Sequence, residues 1–370
     1  MKFYLIAGER SGDLHGGNLI KQLKQRELSA QFRGFGGDYM REAGMHEVVH
    51  YRELAFMGFA EVLANLRTIS KKIDQCKKDI LNYQPDVIIL IDYAGFNMRI
   101  AKFARTNGIK VYWYISPKVW AWNQGRAWKL KANVDSMFVI LPFEKDFFKK
   151  FEWDVDYVGN PVLDAIKAHQ KNADFKKEHG IDSDKKIVAL LPGSRHQELK
   201  KIAPLMAGVA SINPDLQFVV AAVSNLYRDL YQGLKNLPNV SFVNDASYDL
   251  LSFADAAIVT SGTATLETAL FRVPQVVVYK TSGVTYSIAK FLIKVRFISL
   301  VNLIADKEVV KEMIQKDASV EKVSAELNQV LTNSTYRNKM LSEYDEIIRI
   351  LDTGSASENT ARLMLEYLKG

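Results

Sequence analysis

Apolar residues in this chain fall into short runs, several of them closed by glycine, serine or an acidic residue before a helical pattern begins. Phe3-Tyr4-Leu5-Ile6-Ala7 and Val87-Ile88-Ile89-Leu90-Ile91 set the form. It returns at Val111–Ile115, Ser136–Ile140, Ile187–Leu191, Gln217–Ala221, Val240–Val243, Ala256–Val259 and Gln275–Val278. Continuous runs, unlike alternating ones, predict strands covered on both faces, as in a parallel sheet. The stretches between carry helical spacing, as in Leu14, Leu19, Ile20 and Leu23. Strand, turn and helix in repetition predict an α/β chain of doubly wound, Rossmann-like architecture.

The scheme starts twice, at Phe3 and again at Ile187, and the intervening stretch from Lys167 to Gly180 is strongly charged. That composition marks a junction. The expected division is a first domain over 1–165 and a second over 166–344. Residues 345–370, helical and interrupted at Asp352-Thr353-Gly354-Ser355, are expected to pack back on the first.

The chain has 370 residues, 48% hydrophobic and 25% charged, which is ample for a large core and ordinary for a soluble globular protein. The single cysteine, Cys76, excludes an intrachain disulfide and any cysteine-based metal cluster, and fits a reducing compartment. The apolar run at Met1–Ala7 is too short for a signal sequence and is stopped by Glu9 and Arg10. No run approaches the roughly 20 apolar residues that cross a bilayer. A cytoplasmic location is expected. The net charge of +7 suggests an anionic partner. Without zinc-ligand spacing or an RNA-binding signature, nucleic acid is not expected, leaving phosphates and membrane surfaces. Asp154-Val155-Asp156 has the form of a metal-holding pair, but Trp153, Val155 and Tyr157 alternate with it as in a half-exposed strand. Asp182-Ser183-Asp184 reads as a surface turn. No metal and no cofactor are expected.

Candidate chemistry lies where the runs end. Ser261-Gly262-Thr263 opens a helix whose first N–H groups and dipole would seat a phosphate, and Glu267, one turn on, could reach a ribose; the same turn would also serve a capped core helix. In the first half Gly8-Glu9-Arg10-Ser11-Gly12-Asp13 follows the first strand, and Asp92 ends another, placed for a general base or for capping the next helix. Arg195 could hold a diphosphate in bidentate fashion or lie on the surface. Asn302 in an apolar setting needs partners for its amide, and a nucleobase edge would serve. Trp120 and Trp122 either stack on a ring, line an acyl groove or anchor the core. Leu54 to Leu66 is unusually apolar and is followed by Arg67, Lys71, Lys72, Lys77 and Lys78. It is either a segment for an anionic interface or acyl chains, or a buried helix beside a solvated one.

Taken in order, several motifs resemble those of the lipid A disaccharide synthases, inverting glycosyltransferases built from two Rossmann-like domains facing across a cleft (GT-B type). They are Ala7-Gly8-Glu9-x-Ser11-Gly12-Asp13, Glu53-Leu54-Ala55-x-Met57-Gly58, Ser116-Pro117-x-Val119-Trp120-Ala121-Trp122, Leu141-Pro142-Phe143-Glu144-Lys145, Leu191-Pro192-Gly193-Ser194-Arg195 and Ser261-Gly262-Thr263-Ala264-x-Leu266-Glu267. The resemblance implies transfer of 2,3-diacylglucosamine from its UDP derivative to the 6-hydroxyl of 2,3-diacylglucosamine 1-phosphate, giving a β-1,6 disaccharide phosphate and UDP. It implies Asp92 as base with Glu9 and Ser11 on the acceptor side. Gly193, Ser194, Arg195, Ser261, Gly262, Thr263, Glu267 and Asn302 would bind UDP without a metal. Phe56, Met57, Phe59, Val62, Leu63 and Leu66 would form an acyl-binding and membrane surface. It further implies peripheral attachment to the cytoplasmic face of the inner membrane of a Gram-negative bacterium, and a homodimer with exchanged C-terminal segments. The chain departs from the family at Gly95 (usually Asp), Arg10 (usually small), Asn160 (usually His) and Val301 (usually Pro). Competing readings are a UDP-sugar epimerase or another UDP-sugar transferase on the same fold, or a nucleotide-sugar binding protein without catalysis.

Overall fold

The computed structural model describes residues 1–54, 66–181, 184–193, 195–222, 228–282, 286 and 295–370. The first apolar run, β1 (Lys2–Ala7), lies inside a sheet completed by β2 (Gln31–Gly36), β3 (His46–His50), β4 (Val87–Ile91), β5 (Lys110–Tyr114), β6 (Ser136–Val139) and β7 (Asp156–Tyr157). This seven-stranded sheet has the order β3-β2-β1-β4-β5-β6-β7, and every pairing is parallel. A second sheet, of six strands, takes β8 (Ile187–Leu191), β9 (Gln217–Ala222), β10 (Val240–Asn244), β11 (Ala256–Thr260), β12 (Gln275–Tyr279) and β13 (Glu312–Ile314) in the order β10-β9-β8-β11-β12-β13. It too is wholly parallel. The chain is thus α/β with two doubly wound parallel sheets.

Every residue of β4, β8 and β11 is buried, because helices cover both faces of a parallel sheet. The strands that the apolar pattern does not announce have local reasons. β2 reads Gln-Phe-Arg-Gly-Phe-Gly, and its Gly34 (φ +152°) lets the neighbouring backbone come so near that a Cβ would stand 1.9 Å from the carbonyl oxygen of Leu5. β3 and β13 are edge strands, each paired with a neighbour on one side only.

Residues Met1–Pro161 and Asp352–Gly370 form one compact unit and Val162–Leu351 the other. In the first, the helix Ala356–Lys369, capped by the Ser355 hydroxyl, puts Ala361, Met364 and Leu365 into one cluster with Leu19, Ile20 and Leu23 of the helix Arg10–Arg26. Tyr367 donates to Asp156 (3.0 Å), so one member of the Asp-x-Asp pair serves to dock this helix. The helix Leu66–Tyr83 is pinned to the sheet by Asp79, which takes a bidentate pair from Arg33 (2.9 and 2.7 Å) and the hydroxyl of Tyr4 (2.9 Å). Among the described residues no helix is long and apolar enough to cross a membrane.

Candidate active site

In each sheet the strand order reverses once: the chain winds outward from β1 to β3 and restarts at β4, then from β8 to β10 and restarts at β11. Loops leaving the carboxyl ends of two such strands diverge to opposite faces and leave a crevice, the usual ligand site in open α/β sheets.

At the first crevice the register pairs Ala7 with Ile91 and Ile91 with Tyr114, so β1, β4 and β5 end side by side. Glu9, extended and exposed, immediately precedes the helix Arg10–Arg26, and Ser11 is exposed in its first turn. Asp13 of the same motif is buried and turned the other way, accepting from the N–H groups of Gly37 (2.7 Å), Tyr39 (3.1 Å) and Met40 (3.1 Å). It ties β2's exit to β1's.

Asp92 and Tyr93, the two residues after β4, are both left-handed (φ +44° each), and Ile115 after β5 has φ +66°. Such conformations cost non-glycine residues about 1–3 kcal/mol each and persist only where the surroundings impose them. Here the surroundings are specific. The amide of Asn97 donates to the carbonyls of Asp92 (2.9 Å) and Ile91 (3.2 Å), the Asp92 N–H donates to the Tyr114 carbonyl (3.2 Å), and the Tyr93 hydroxyl reaches the Leu54 carbonyl (2.8 Å). Burial, followed by the negative charge of Glu9, pushes the Tyr93 hydroxyl pKa up. Asp92 is half-buried, and Gly95 beyond it faces open space. Asn160, buried, donates to the Ile140 carbonyl (3.2 Å), and Val301 in the second unit is buried.

At the second crevice Gly193 has φ +103°, a backbone conformation that any side chain would strain. Arg195, exposed and extended, sits at the start of the helix His196–Ser211 and pairs with Glu198 (3.0 Å). From β11, the Ser261 N–H donates to the Val278 carbonyl (3.0 Å) and its hydroxyl to the Ile298 carbonyl (2.8 Å). Gly262 is extended, and Thr263 begins the helix Thr263–Leu270, whose first N–H groups the helix itself does not use. Glu267 is half-buried; burial pushes its carboxyl pKa up, against a weak bond from Tyr248 (3.4 Å).

Asn302 differs from the sequence expectation. Its amide nitrogen donates to the Val310 carbonyl (2.9 Å) and Glu312 (2.9 Å), and its oxygen accepts from the N–H groups of Val309 (2.8 Å) and Val310 (2.9 Å). Fully buried, it is satisfied by the chain and needs no nucleobase. The residue that the sequence does not single out is Glu312. It accepts from the N–H groups of Ile298 (3.0 Å) and Ser299 (2.9 Å), the Ser299 hydroxyl (2.7 Å) and Asn302, and so fixes the segment that receives Ser261. Glu312, the first residue of β13, belongs to no motif; only the fold brings it beside Ser299.

The structure therefore gathers Glu9, Ser11 and Asp92 at one crevice. Gly193, Arg195 and the Ser261-Gly262-Thr263 turn stand at the other, with Asn302 supporting that turn. Glu267 lies one helical turn further along. Ser194, Phe56, Met57, Phe59, Val62 and Leu63 lie outside the described residues, as do the side chain of Leu66 and most of residues 283–294.

The sequence model of one family, described as lipid-A-disaccharide synthetase, matches residues 3–364. The chain belongs to the lipid-A-disaccharide synthase family. Curated lipid-A-disaccharide synthases similar to it include those of Geobacter sulfurreducens, 38% identical over 373 residues covering 99% of this chain and 97% of the relative, and of Coxiella burnetii, 38% identical over 365 residues covering 97% and 96%. Membership makes the chain a glycosyltransferase of lipid A synthesis. Solved structures of like fold include the UDP-GlcNAc 2-epimerase of Neisseria meningitidis bound to UDP-GlcNAc (TM-score 0.67, 16% identity, all of both chains) and an S. aureus MnaA–UDP co-structure (TM-score 0.68, 14% identity, 100% and 97%). At such identities they speak for the two-domain fold alone. The epimerase reading is not favoured, since the family match is to the synthases.

Proposed function

We propose that the first crevice binds the acceptor and the second the donor in transfer of 2,3-diacylglucosamine from UDP to 2,3-diacylglucosamine 1-phosphate. The observation that carries this reading is that the sites proposed from sequence fall at the two points where strand order reverses. The Asp92 carboxylate takes the proton of the acceptor 6-hydroxyl as its oxygen bonds to the anomeric carbon of the donor. The bond from that carbon to the diphosphate breaks on the opposite side, inverting the centre, and UDP leaves with the electron pair. Glu9 and Ser11 line the acceptor side. Arg195, Gly193, Ser194 and the Ser261-Gly262-Thr263 turn, through the N–H groups of Gly262 and Thr263, stabilise the charge gathering on the diphosphate. Glu267 holds the ribose, and Asn302 acts through Ser299 and Ile298 rather than by touching the base.

The apolar residues Phe56, Met57, Phe59, Val62, Leu63 and Leu66, with the cations that follow them in sequence, dock on the cytoplasmic face of an anionic inner membrane, where both diacyl substrates reside. A homodimer with exchanged C-terminal segments would make the contacts of Ala356–Lys369 with Arg10–Arg26 between two copies instead of within one.

The test is UDP release by the purified protein. It should require both the UDP-diacylglucosamine donor and the acceptor phosphate. Turnover of the nucleotide sugar without acceptor, with a C2 epimer as product, would replace this reading by the epimerase one; nucleotide binding without any turnover would leave a binding protein.

A further inference from the structure

Residues 116–126 follow β5, the strand beside β4, and carry groups that the roles above leave unused. Their frame is buried. Glu144, at the start of the helix Phe143–Lys149, is fully buried and accepts from the Ser116 hydroxyl, the Trp120 indole N–H (3.1 Å), and the N–H groups of Ile140 (3.2 Å) and Leu141 (3.0 Å). Trp120 stands edge-on to Phe143, with ring centroids 5.0 Å apart. One carboxylate thus binds the exits of β5 and β6 together, and two motifs far apart in sequence become one staple. An unpaired buried donor costs about 1–3 kcal/mol, so this segment is held in place.

What the frame holds outward is different in kind. Trp122 is 44% exposed, and the guanidinium carbon of Arg126 lies 4.8 Å from the centroid of its ring. Residues 116–134 include Lys118, Arg126, Lys129 and Lys131 and no acidic residue. Among the described residues Arg126 makes no ion pair; its neighbour is the Trp122 ring. A guanidinium stacked on an indole keeps its planar fork of donors fixed and its edges available to oxygen acceptors, which suits a phosphate better than a mobile lysine would. The indole leaves an apolar face of the kind on which the C–H face of a sugar rests.

Position adds the rest. β4 and β5 are adjacent, with Ile91 paired to Tyr114. Residues 116–126 therefore leave the sheet at the same carboxyl edge as Asp92, one strand over, on the side where the far end of a hexose with its 6-hydroxyl at Asp92 can lie. We propose that Trp122 and Arg126 hold the phosphate-bearing end of the acceptor, the indole against the sugar ring and the guanidinium on the phosphate oxygens. This rests on the reading of Asp92 as the base acting on a phosphorylated acceptor.

The test is steady-state kinetics on the full chain with a water-soluble, short-acyl 2,3-diacylglucosamine 1-phosphate and with the same sugar lacking the phosphate. R126A should raise the KM for the phosphorylated acceptor about tenfold or more, leave the donor KM unchanged, and cost little with the unphosphorylated sugar. R126K should lie between. W122A should raise the KM for both acceptors, and W122F should restore most of it. Equal losses with both acceptors on R126A, a donor KM rising in step, or unchanged kinetics would each overturn the site. So would a defect confined to acceptor presented in anionic vesicles, which would assign the pair to the bilayer. Wild-type protein that releases no UDP with this acceptor removes the proposed function and the site with it; normal wild-type turnover with unaltered variants removes the site alone.

Discussion

Gly8 and Tyr93 share one space: a Cβ atom added to Gly8 would stand 2.3 Å from the Cγ of the Tyr93 ring. Because Tyr93 follows Asp92 directly and both are left-handed, the bare backbone at the end of β1 helps to set the carboxylate at the end of β4. Gly8→Ala should displace the ring and Asp92 with it, lowering kcat at least about tenfold and stability by about 1–3 kcal/mol. Adding Tyr93→Gly should return part of the lost melting temperature, since the clash and one left-handed side chain go together. Thermal melts and UDP release on the single and double variants check the coupling.

Asp92→Asn separates charge from conformation, because asparagine tolerates a left-handed backbone. It should keep UDP affinity and lose about a hundred- to ten-thousandfold in turnover. Arg195→Ala should do the reverse, weakening UDP by about tenfold. Calorimetric titration with UDP alongside turnover distinguishes the two, and near-normal rates for Asp92→Asn would remove it as the base.

Glu312→Ala leaves the N–H groups of Ile298 and Ser299 without their acceptor, and the Ile298 carbonyl that receives Ser261 loses its support. The donor KM should rise severalfold while the acceptor KM stays. Glu312→Gln should recover most of this, because the oxygen that serves Ser299 and Asn302 can be retained. Kinetics that respond equally in both substrates would reduce Glu312 to general stability.

Burial alone would raise the Asp79 carboxyl, but hydrogen bonds from Arg33 and Tyr4 and the Arg33 charge outweigh it and hold the pKa below the ordinary value. A carboxyl lowered on folding stabilises above its unfolded pKa of about 3.9, and that contribution disappears as pH falls through the folded value. The melting temperature of wild type should therefore exceed that of Asp79→Asn near neutrality, and the gap should close below about pH 4. A gap independent of pH would assign the lock to packing.

The parallel-sheet strands were legible because covering both faces forces an unbroken apolar run, as at Val87–Ile91 and Ala256–Thr260. Strand ends were legible as turns of small and acidic residues, which is why Asp92 and Ser261 could be singled out. Edge strands β3 and β13 were not, since His46-Glu47-Val48-Val49-His50 and Glu312-Met313-Ile314 are short and mix charged or polar residues with the apolar ones. Nor was the division of labour inside motifs. Sequence singles out Glu9 and Ser11 but gives no role to Asp13, which is buried under three N–H groups while Glu9 is exposed. Glu144 and Glu312 act across 28 and 13 residues on Ser116 and Ser299, and such pairs exist only once the sheets have formed.

The return of residues 352–370 to the first unit has a consequence for synthesis. A ribosome finishes the contiguous unit, 162–351, before it supplies Ala361, Met364 and Leu365 to the cluster around Leu19 and Leu23. The part translated first is thus completed last, its apolar flank open to solvent or to chaperones throughout elongation. A released chain truncated after residue 351 should be readily cleaved in its N-terminal part, while residues 162–351 resist the protease.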